Sequence, residues 1–586
     1  MRYVDELTGA LKSQLALAYS TKDLLGYGLR RRLRDGYSLA DFRADARASV
    51  VVGLTALPIA LALAIAVEVP PQYGLYTAII AGILGALLGG TRTQIAGPTA
   101  ALIVVSLPVV HKFGVAGLLV AGGLAGAILI VMGLARMGRL FQLVPHPVTT
   151  GFTAGVAAVI WVTQLPSLLG VAMPHQDSPL AVVRGVAVRL GEINGWTAAT
   201  AGATLALLVG IPRVTRRVPA TLVALTVVSA AVALLQHGVP DAAVATIGSV
   251  FTSSVDGQVL RGVPPVPPLP MLPWTSGTGA EFSYAMFREL VPSAFAIAAL
   301  AAIESLTSAT VSDGMTGSKH DPNAELIGLG IANLVCPFFG GIAASGALAR
   351  TTANLRAGAR SPLAGVLQGA LVLACTIVLA PLMSYLPLSA LAATLVIIAL
   401  NLSEVRHFAR LLHIGQRSDV LVMITCFTLT VGFDMVLAVA VGVGLAALLF
   451  MRRMAVLTQV ALDTRSSERF ALPPGVHLYE VAGPLFFGAA KSAMDVLYAS
   501  GRTSGTLILS MVNVPIIDAT GLVAVESTLD RLLRSETLVI LAGLQPEVAD
   551  VFDRAGIKRI PGKLAIAPDV ETAINMAMGQ RRSTAS

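Results

Sequence analysis

Gln94-Ile95-Ala96-Gly97-Pro98-Thr99-Ala100-Ala101 and Gly340-Gly341-Ile342-Ala343-Ala344-Ser345-Gly346 each open an apolar run that is too short to cross a membrane. An unbroken helical span takes about 20 apolar residues. The run behind Thr99 is expected to stop by Pro108, and the run behind Gly346 to be over by Arg356. The two hold the third place in successive halves of the hydrophobic region, which is the correspondence of an inverted repeat. Interrupted helices at matching positions point to a substrate site at the midplane, because half-helix N-termini turn free N–H groups and positive dipole ends toward an anion. Glycine and proline also permit close helix packing in membranes. For one segment alone packing is the better reading; for the symmetric pair a site is.

Outward from these segments the chain stays apolar. Its 586 residues are 55% hydrophobic and 13% charged, with a mean hydropathy of +0.77, whereas soluble domains carry about 25% charged residues. The expected architecture is a polytopic α-helical membrane protein with about fourteen helices, starting near residues 48, 73, 97, 114, 148, 196, 218, 289, 322, 345, 361, 387, 416 and 435, followed by a soluble α/β domain. Three regions result: an Arg-rich tail over residues 1–45, a transmembrane region over 46–453, and a linker with the soluble domain over 454–586. The break between the last two helices, at Gly432, Phe433 and Asp434, is thin. Arg92, Arg136, Arg139, Arg213, Arg216, Arg217, Arg356, Arg360, Arg406 and Arg410 fall on alternate loops, so the positive-inside rule puts both termini in the cytoplasm of a cell inner membrane. The Pro-rich stretch from Pro264 to Pro273 is then an external loop dividing seven helices from seven.

Other classes are poorly supported. The net charge of +8 forms no basic stripe with interleaved aromatics, which argues against nucleic acid. Cys336, Cys375 and Cys426 lie in apolar segments without CxxC pairing, so neither disulfides nor a thiolate metal site is expected. No zinc-ligand, nucleophile–His–acid or Walker pattern is present, so no enzyme, no cofactor and no ATP-driven pump is expected.

Pro70-Pro71-Gln72-Tyr73-Gly74-Leu75-Tyr76-Thr77 followed by Gly97-Pro98-Thr99-Ala100 resembles the opening motif of the sulfate permease family, relatives of the animal solute-carrier 26 anion transporters. Ala56-Leu57-Pro58, Ile303-Glu304-Ser305-Leu306, the segment from Asp313 to His320 and Asn401-Leu402-Ser403-Glu404 look most like its proton-coupled C4-dicarboxylate uptake branch. The resemblance implies a core domain (helices 1–4 and 8–11) moving elevator-like against a gate domain (helices 5–7 and 12–14), with a small anion held between helices 3 and 10. It also implies a homodimer in the lipid bilayer and a C-terminal domain able to meet a cytoplasmic partner. Carried onto this sequence, Thr99 matches the helix-3 position beside the anion, Gly346, Ala347 and Leu348 the helix-10 start, and Arg350 the basic residue one turn further in. Glu304 matches the helix-8 acid that faces the site, and Ile59 and Leu63 match helix-1 lining positions. Sodium-using bicarbonate members have Asp and Thr where this chain has Glu304 and Ser308, and Thr where it has Leu348. Fewer hard oxygen ligands disfavour a sodium site. A sulfate, bicarbonate or uncoupled anion carrier of the same family is the alternative.

The residues themselves support such chemistry. Glu304 sits mid-helix among apolar and hydroxyl neighbours, where an ionised carboxylate costs about 3 kcal/mol on insertion scales. Taking up a proton there removes a negative charge from a site that must receive an anion, which links proton to substrate. The competing reading is a structural glutamate, bonded across helices or paired with Arg350. Arg350 supplies a fixed positive charge; it either raises the potential at the site or snorkels without touching substrate. Ser345 and Thr99 could donate hydroxyls to an anion or bond within helices. His320 is expected to be an exposed loop histidine, and Asp434 to lie in a turn.

Past residue 470, strands are expected at His477–Val481, Gly505–Ser510 and Thr537–Leu541, with helices near 488–500, 520–534 and 545–554. Val514-Pro515-Ile516-Ile517-Asp518-Ala519-Thr520-Gly521 looks like the turn of the sulfate transporter and anti-sigma-factor antagonist (STAS) domain, whose soluble relatives carry a phosphorylated Ser at the Thr520 position. Asp518 and Thr520 at a helix start are also ordinary caps, and capping is the favoured reading.

Overall fold

The computed structural model describes residues 24–584 except 142–143, 175, 177, 216–218, 240–242, 256–257, 276–282, 434, 458, 463–471, 473–474, 487–504 and 535–536. The start of the N-terminal tail, Arg216, Arg217, Asp434 and the helix expected near 488–500 lie outside the described residues. The chain forms two compact units that divide between Val443 and Gly444, inside the last apolar helix.

The first unit is helical. Among the described residues, ten helices are long and apolar enough to cross a membrane. Helix α1 (Tyr27–Arg34) precedes α2 (Leu39–Ala66) and α3 (Pro71–Leu88); strand β1 (Ala96–Gly97) then leads into α4 (Ala100–Leu134). Helices α5 (His146–Thr163), α6 (Gly195–Val214) and α7 (Ala220–Gly238) complete the first half. A hairpin of β2 (Thr252–Val255) and β3 (Gln258–Arg261) lies between the halves. It was not anticipated, since its strands are only four residues each. The second half runs α8 (Tyr284–Thr316), α9 (Pro322–Val335), β4 (Ser345–Gly346), α10 (Leu348–Arg356), α11 (Leu363–Met383), α12 (Leu388–Leu402), α13 (Val405–Ile414), α14 (Arg417–Gly432) and α15 (Met435–Leu457).

One expectation is corrected. The third run does not end at Pro108 but continues through it to Gly114, whose φ of 68° breaks α4 into two helices, the second starting where the fourth was expected. The missing N–H of a helical proline is tolerated in a membrane because neighbouring groups satisfy what it frees, whereas a left-handed residue turns the chain and suits glycine.

Helix pairings repeat between the halves. Helix α4 packs on α8 and α9 as α11 packs on α2 and α3, and α5 packs on α14 as α12 packs on α6. Two groups of helices result, one around α4 and α11 and one around α5 and α12, as an inverted repeat of core and gate requires. Near the start of α2, Ser38 and Asp41 form a reciprocal capping box. Asp45 then accepts from the backbone N–H groups of Arg360 and Ser361 at 2.6 and 3.1 Å and from the Tyr37 hydroxyl at 2.9 Å, tying α2 to the start of α11. Burial, with the Asp45 carboxylate beside it, pushes the Tyr37 phenol up to about 12, so it remains a donor.

The second unit carries a five-stranded sheet in the order of β5 (Gln459–Leu462), β6 (Val476–Ala482), β7 (Thr506–Asn513), β8 (Leu538–Ala542) and β9 (Leu564–Ala567). Strands β6 to β9 are parallel and β5 is antiparallel to β6. Successive residues of β7 face opposite sides: Leu507 and Leu509 pack with α16 (Ala519–Leu533) and α17 (Pro546–Ala555), while Ile508 packs with α18 (Val570–Thr584). Both faces are therefore covered, as a parallel sheet needs.

Candidate functional site

Two short extended segments cross within the first unit. Ala96 pairs with Gly346 and Gly97 with Ser345 in antiparallel register. The Ala347 N–H donates to Ile95 O at 2.9 Å, and the Ile95 N–H donates to Thr351 Oγ1 at 3.1 Å. Non-helical backbone at membrane depth persists only where protein satisfies it or a cavity receives it, and this crossing meets the first condition. The half-helices then start back to back. Thr99 is the N-cap residue of α4 and Ala347 that of α10, and at neither does the cap side chain bond to the first-turn N–H groups. Two positive dipole ends are left without a side-chain cap.

The two glycines of the crossing make room for long polar side chains. A Cβ on Gly97, whose φ is +154°, would stand 2.7 Å from Arg350 Nη1. A Cβ on Gly346 would stand 2.1 Å from Gln94 Nε2 and 2.8 Å from Ser305 Cα. Gly346 thus serves the packing behind the crossing.

A hydroxyl–carboxyl cluster sits at the α4 start. Thr99 Oγ1 donates to Glu304 Oε2 at 2.7 Å, Ser345 Oγ donates to the same oxygen, and the two hydroxyl oxygens are 2.8 Å apart. Glu304 comes from α8, which packs against α4, β4 and α10. Thr99 and Glu304 are half-buried, while Ser345 is wholly buried. Arg350 lies buried beside them, but it donates through Nη2 to the Pro98 carbonyl rather than to Glu304. Its buried Nη1 has no partner. Ile59 and Leu63 belong to α2, in the apolar core that also holds Ala100 and Ala101. Ala347 is buried and Leu348 half-buried.

Sequence reasoning missed a second carboxylate. Glu325 of α9 is 4% exposed. Its Oε2 accepts from Gly90 N at 2.9 Å, Thr91 N at 3.0 Å and Thr91 Oγ1 at 2.6 Å. Its Oε1 accepts from Gln94 Nε2 at 2.8 Å and Ser305 Oγ at 3.1 Å. Gln94 also donates to Ser305 Oγ at 2.6 Å, so the residue next to Glu304 is tied to the strand beneath the site. Gln94 was legible as the polar residue opening the Gly-Pro-Thr motif. Glu325 was not, because an acid in a first helical turn is ordinary.

Two further positions differ from expectation or refine it. His320 is not exposed: its side chain is 5% accessible, with Nδ1 2.7 Å from Asp313 Oδ2. The left-handed Gly317 ends α8 and lets the chain double back onto Asp313. At the start of α16 the cap is Asp518, which accepts from the Gly521 N–H at 2.6 Å, whereas Thr520 stands exposed in the first turn. Among the described residues no cluster of three His, Cys, Asp or Glu could hold a metal ion.

A model of the sulfate permease family matches residues 42–426 and one of the STAS domain residues 471–573. The chain belongs to the sulfate permease family. It is a multi-pass membrane anion transporter, not an enzyme. Among its permease relatives, the putative sulfate transporter YvdB of Bacillus subtilis (strain 168) is 36% identical over 532 residues, covering 90% of this chain and 96% of its own length. The bicarbonate transporter BicA of Picosynechococcus is 27% identical over 568 residues, covering 92% and 95%. In fold, the permease matches the murine Solute Carrier 26 family member A9 anion transporter in its inward-facing state with a TM-score of 0.79, at 17% identity and over 93% of this chain and 92% of that one.

Proposed function

We propose that this permease is a proton-coupled secondary transporter that takes up C4-dicarboxylates of the succinate or fumarate type. The observation that carries the coupling is the shared acceptor: Thr99 and Ser345 both spend their hydroxyl protons on Glu304 Oε2. An ionised Glu304 holds the hydroxyls and repels an anion. A protonated Glu304 gives up that charge and frees both hydroxyls for the substrate, beside two helix N-termini and the guanidinium of Arg350. Proton and anion then enter the site together. The dicarboxylate assignment is supported by the motifs around Glu304 and by the segment from Asp313 to His320. A second reading, a sulfate or bicarbonate carrier, is favoured by the names of the relatives.

The two helix groups provide the moving parts, core against gate. An apolar gap of about 430 Å³ between α2, α7 and α11, bordered by Leu57, Leu61, Leu225 and Met383, leaves little polar contact to break when one slides on the other. Proposed here too are a homodimer, cytoplasmic termini in an inner membrane, and a cytoplasmic partner at the STAS domain; the distribution of arginines supports the orientation.

Uptake into proteoliposomes of labelled succinate, fumarate, bicarbonate and sulfate, with and without an inward proton gradient, tests the reading. Succinate or fumarate should accumulate only with the gradient and equally in sodium or potassium medium. A strict sodium requirement, or accumulation of sulfate or bicarbonate alone, would give the second reading. Thr99→Val, which removes a donor with little change of volume, should weaken substrate affinity about ten- to hundred-fold, since a hydrogen bond to a charged group is worth roughly 1.5–3 kcal/mol. Binding to the folded variant at parental affinity would take Thr99 out of the site.

A further inference from the structure

After α12 the chain turns at Ser403 and a left-handed Glu404 into α13, a helix with no buried residue. Its sequence, Val405-Arg406-His407-Phe408-Ala409-Arg410-Leu411-Leu412-His413-Ile414, is amphipathic at 100° per residue, with the exposed Ile414 interrupting the polar side. Val405, Phe408, Ala409 and Leu412 share one side, and Arg406, Arg410 and His413 the other. Glu404 stands at its N-cap, and no further acid occurs before Asp419. A basic amphipathic helix of this kind lies in the membrane interface.

Next to its apolar side is a cavity of about 300 Å³ between α5, α12, α13 and α14, lined by Ala154, Ala157, Trp161, Leu400, Phe408 and Phe427. Ser403 is the one hydroxyl residue on its wall. Along α5 the lining runs from Ala154 to Val162, about 12 Å at 1.5 Å per residue, long enough for a good part of an acyl chain. Beside it, on α13, His407 has a buried Nε2 without a partner, and its ring meets that of His146 edge-on at 5.1 Å. Arg406 and Arg410 are exposed.

We propose that this is a binding site for one anionic phospholipid, with an acyl chain in the cavity and the headgroup phosphate against Arg406 and Arg410. An apolar slot fits any acyl chain; the two arginines, set against the single carboxylate of Glu404 at the helix start, select the charge. Each arginine near an anionic headgroup strengthens binding about five-fold, so the pair should favour an anionic over a zwitterionic lipid by roughly ten- to thirty-fold. The site is on the α5–α12 group of helices, and it does not depend on which anion is carried.

Trp161 is the probe. The chain has three tryptophans, and in a Trp196→Phe, Trp274→Phe variant with retained anion uptake only Trp161 reports. Reconstituted in phosphatidylcholine, it should be quenched by brominated phosphatidylglycerol at a mole fraction at least ten-fold below that of brominated phosphatidylcholine. Arg406→Gln with Arg410→Gln should remove the preference, and Arg406→Lys with Arg410→Lys should keep it, because a point charge suffices. Equal quenching by the two lipids, or a preference that survives the glutamine pair, would overturn the proposal. Absence of quenching by either lipid would overturn it as well, in favour of a second copy of the chain covering the cavity.

Discussion

Glu304→Gln is expected to abolish uphill anion accumulation while preserving anion exchange. Each unit of pH gradient is worth about 1.4 kcal/mol per proton, a ten-fold concentration ratio, so the parent protein should approach ten-fold accumulation per unit and per coupled proton. The variant should stop at equal concentrations. Glutamine keeps the length of the side chain and an acceptor for Thr99 and Ser345, whose hydroxyls now bond to Glu304. It resembles the neutral carboxyl in charge but has no proton to release. Anion binding thereby loses its dependence on proton uptake, and the gradient has nothing to act upon. The measurement pairs accumulation under an imposed pH gradient with counterflow exchange at uniform pH. Undiminished accumulation would remove Glu304 from the mechanism. Loss of both activities would point to a structural role for the carboxyl at this crossing.

How far the sequence showed this site depends on the kind of signal. Breaks in apolar runs are local, and Gly97-Pro98-Thr99 and Ser345-Gly346 marked both half-helices without any structure. That Thr99, Ser345 and Glu304 meet follows only from the crossing of segments about 250 residues apart, which the inverted repeat implied but could not measure. For Arg350 the structure shows a bond that the sequence did not suggest: its guanidinium reaches the Pro98 carbonyl through the space that Gly97 leaves. Pro108 misled because proline usually ends a helix, while here the break falls at Gly114 instead. His320 misled for another reason. Its partner Asp313 is seven residues away, across a turn that composition does not reveal. In the second unit the alternating apolar pattern located β6, β7 and β8, whereas the four-residue β5 and β9 were too short to register.

Glu325→Gln should be among the most destabilising conservative changes in the transport region, and it should reach the anion site without touching substrate. Five donors face the Glu325 carboxyl: two backbone N–H groups, the hydroxyls of Thr91 and Ser305, and the Gln94 amide. Only an acceptor on both oxygens satisfies all of them. Glutamine must turn its NH2 toward either the Thr91 side or the Gln94 side, so at least two of these bonds are lost and donors face donors. At roughly 1.5–3 kcal/mol for each bond to a charged group, the loss is about 3 kcal/mol or more. With the NH2 on the Gln94 side, Gln94 loses its acceptor at position 325, the packing behind Gly346 loosens, and the pairing of β4 with β1 is disturbed. Anion affinity should therefore fall together with the thermal unfolding midpoint, whereas Thr99→Val lowers affinity alone. Comparing the two variants separates a group that holds the crossing together from one that meets the anion. If Glu325→Gln unfolds at the parental midpoint and binds anion like the parent, the network beneath the crossing is dispensable, and the position of Ser345 must be held by the α8–α10 packing instead.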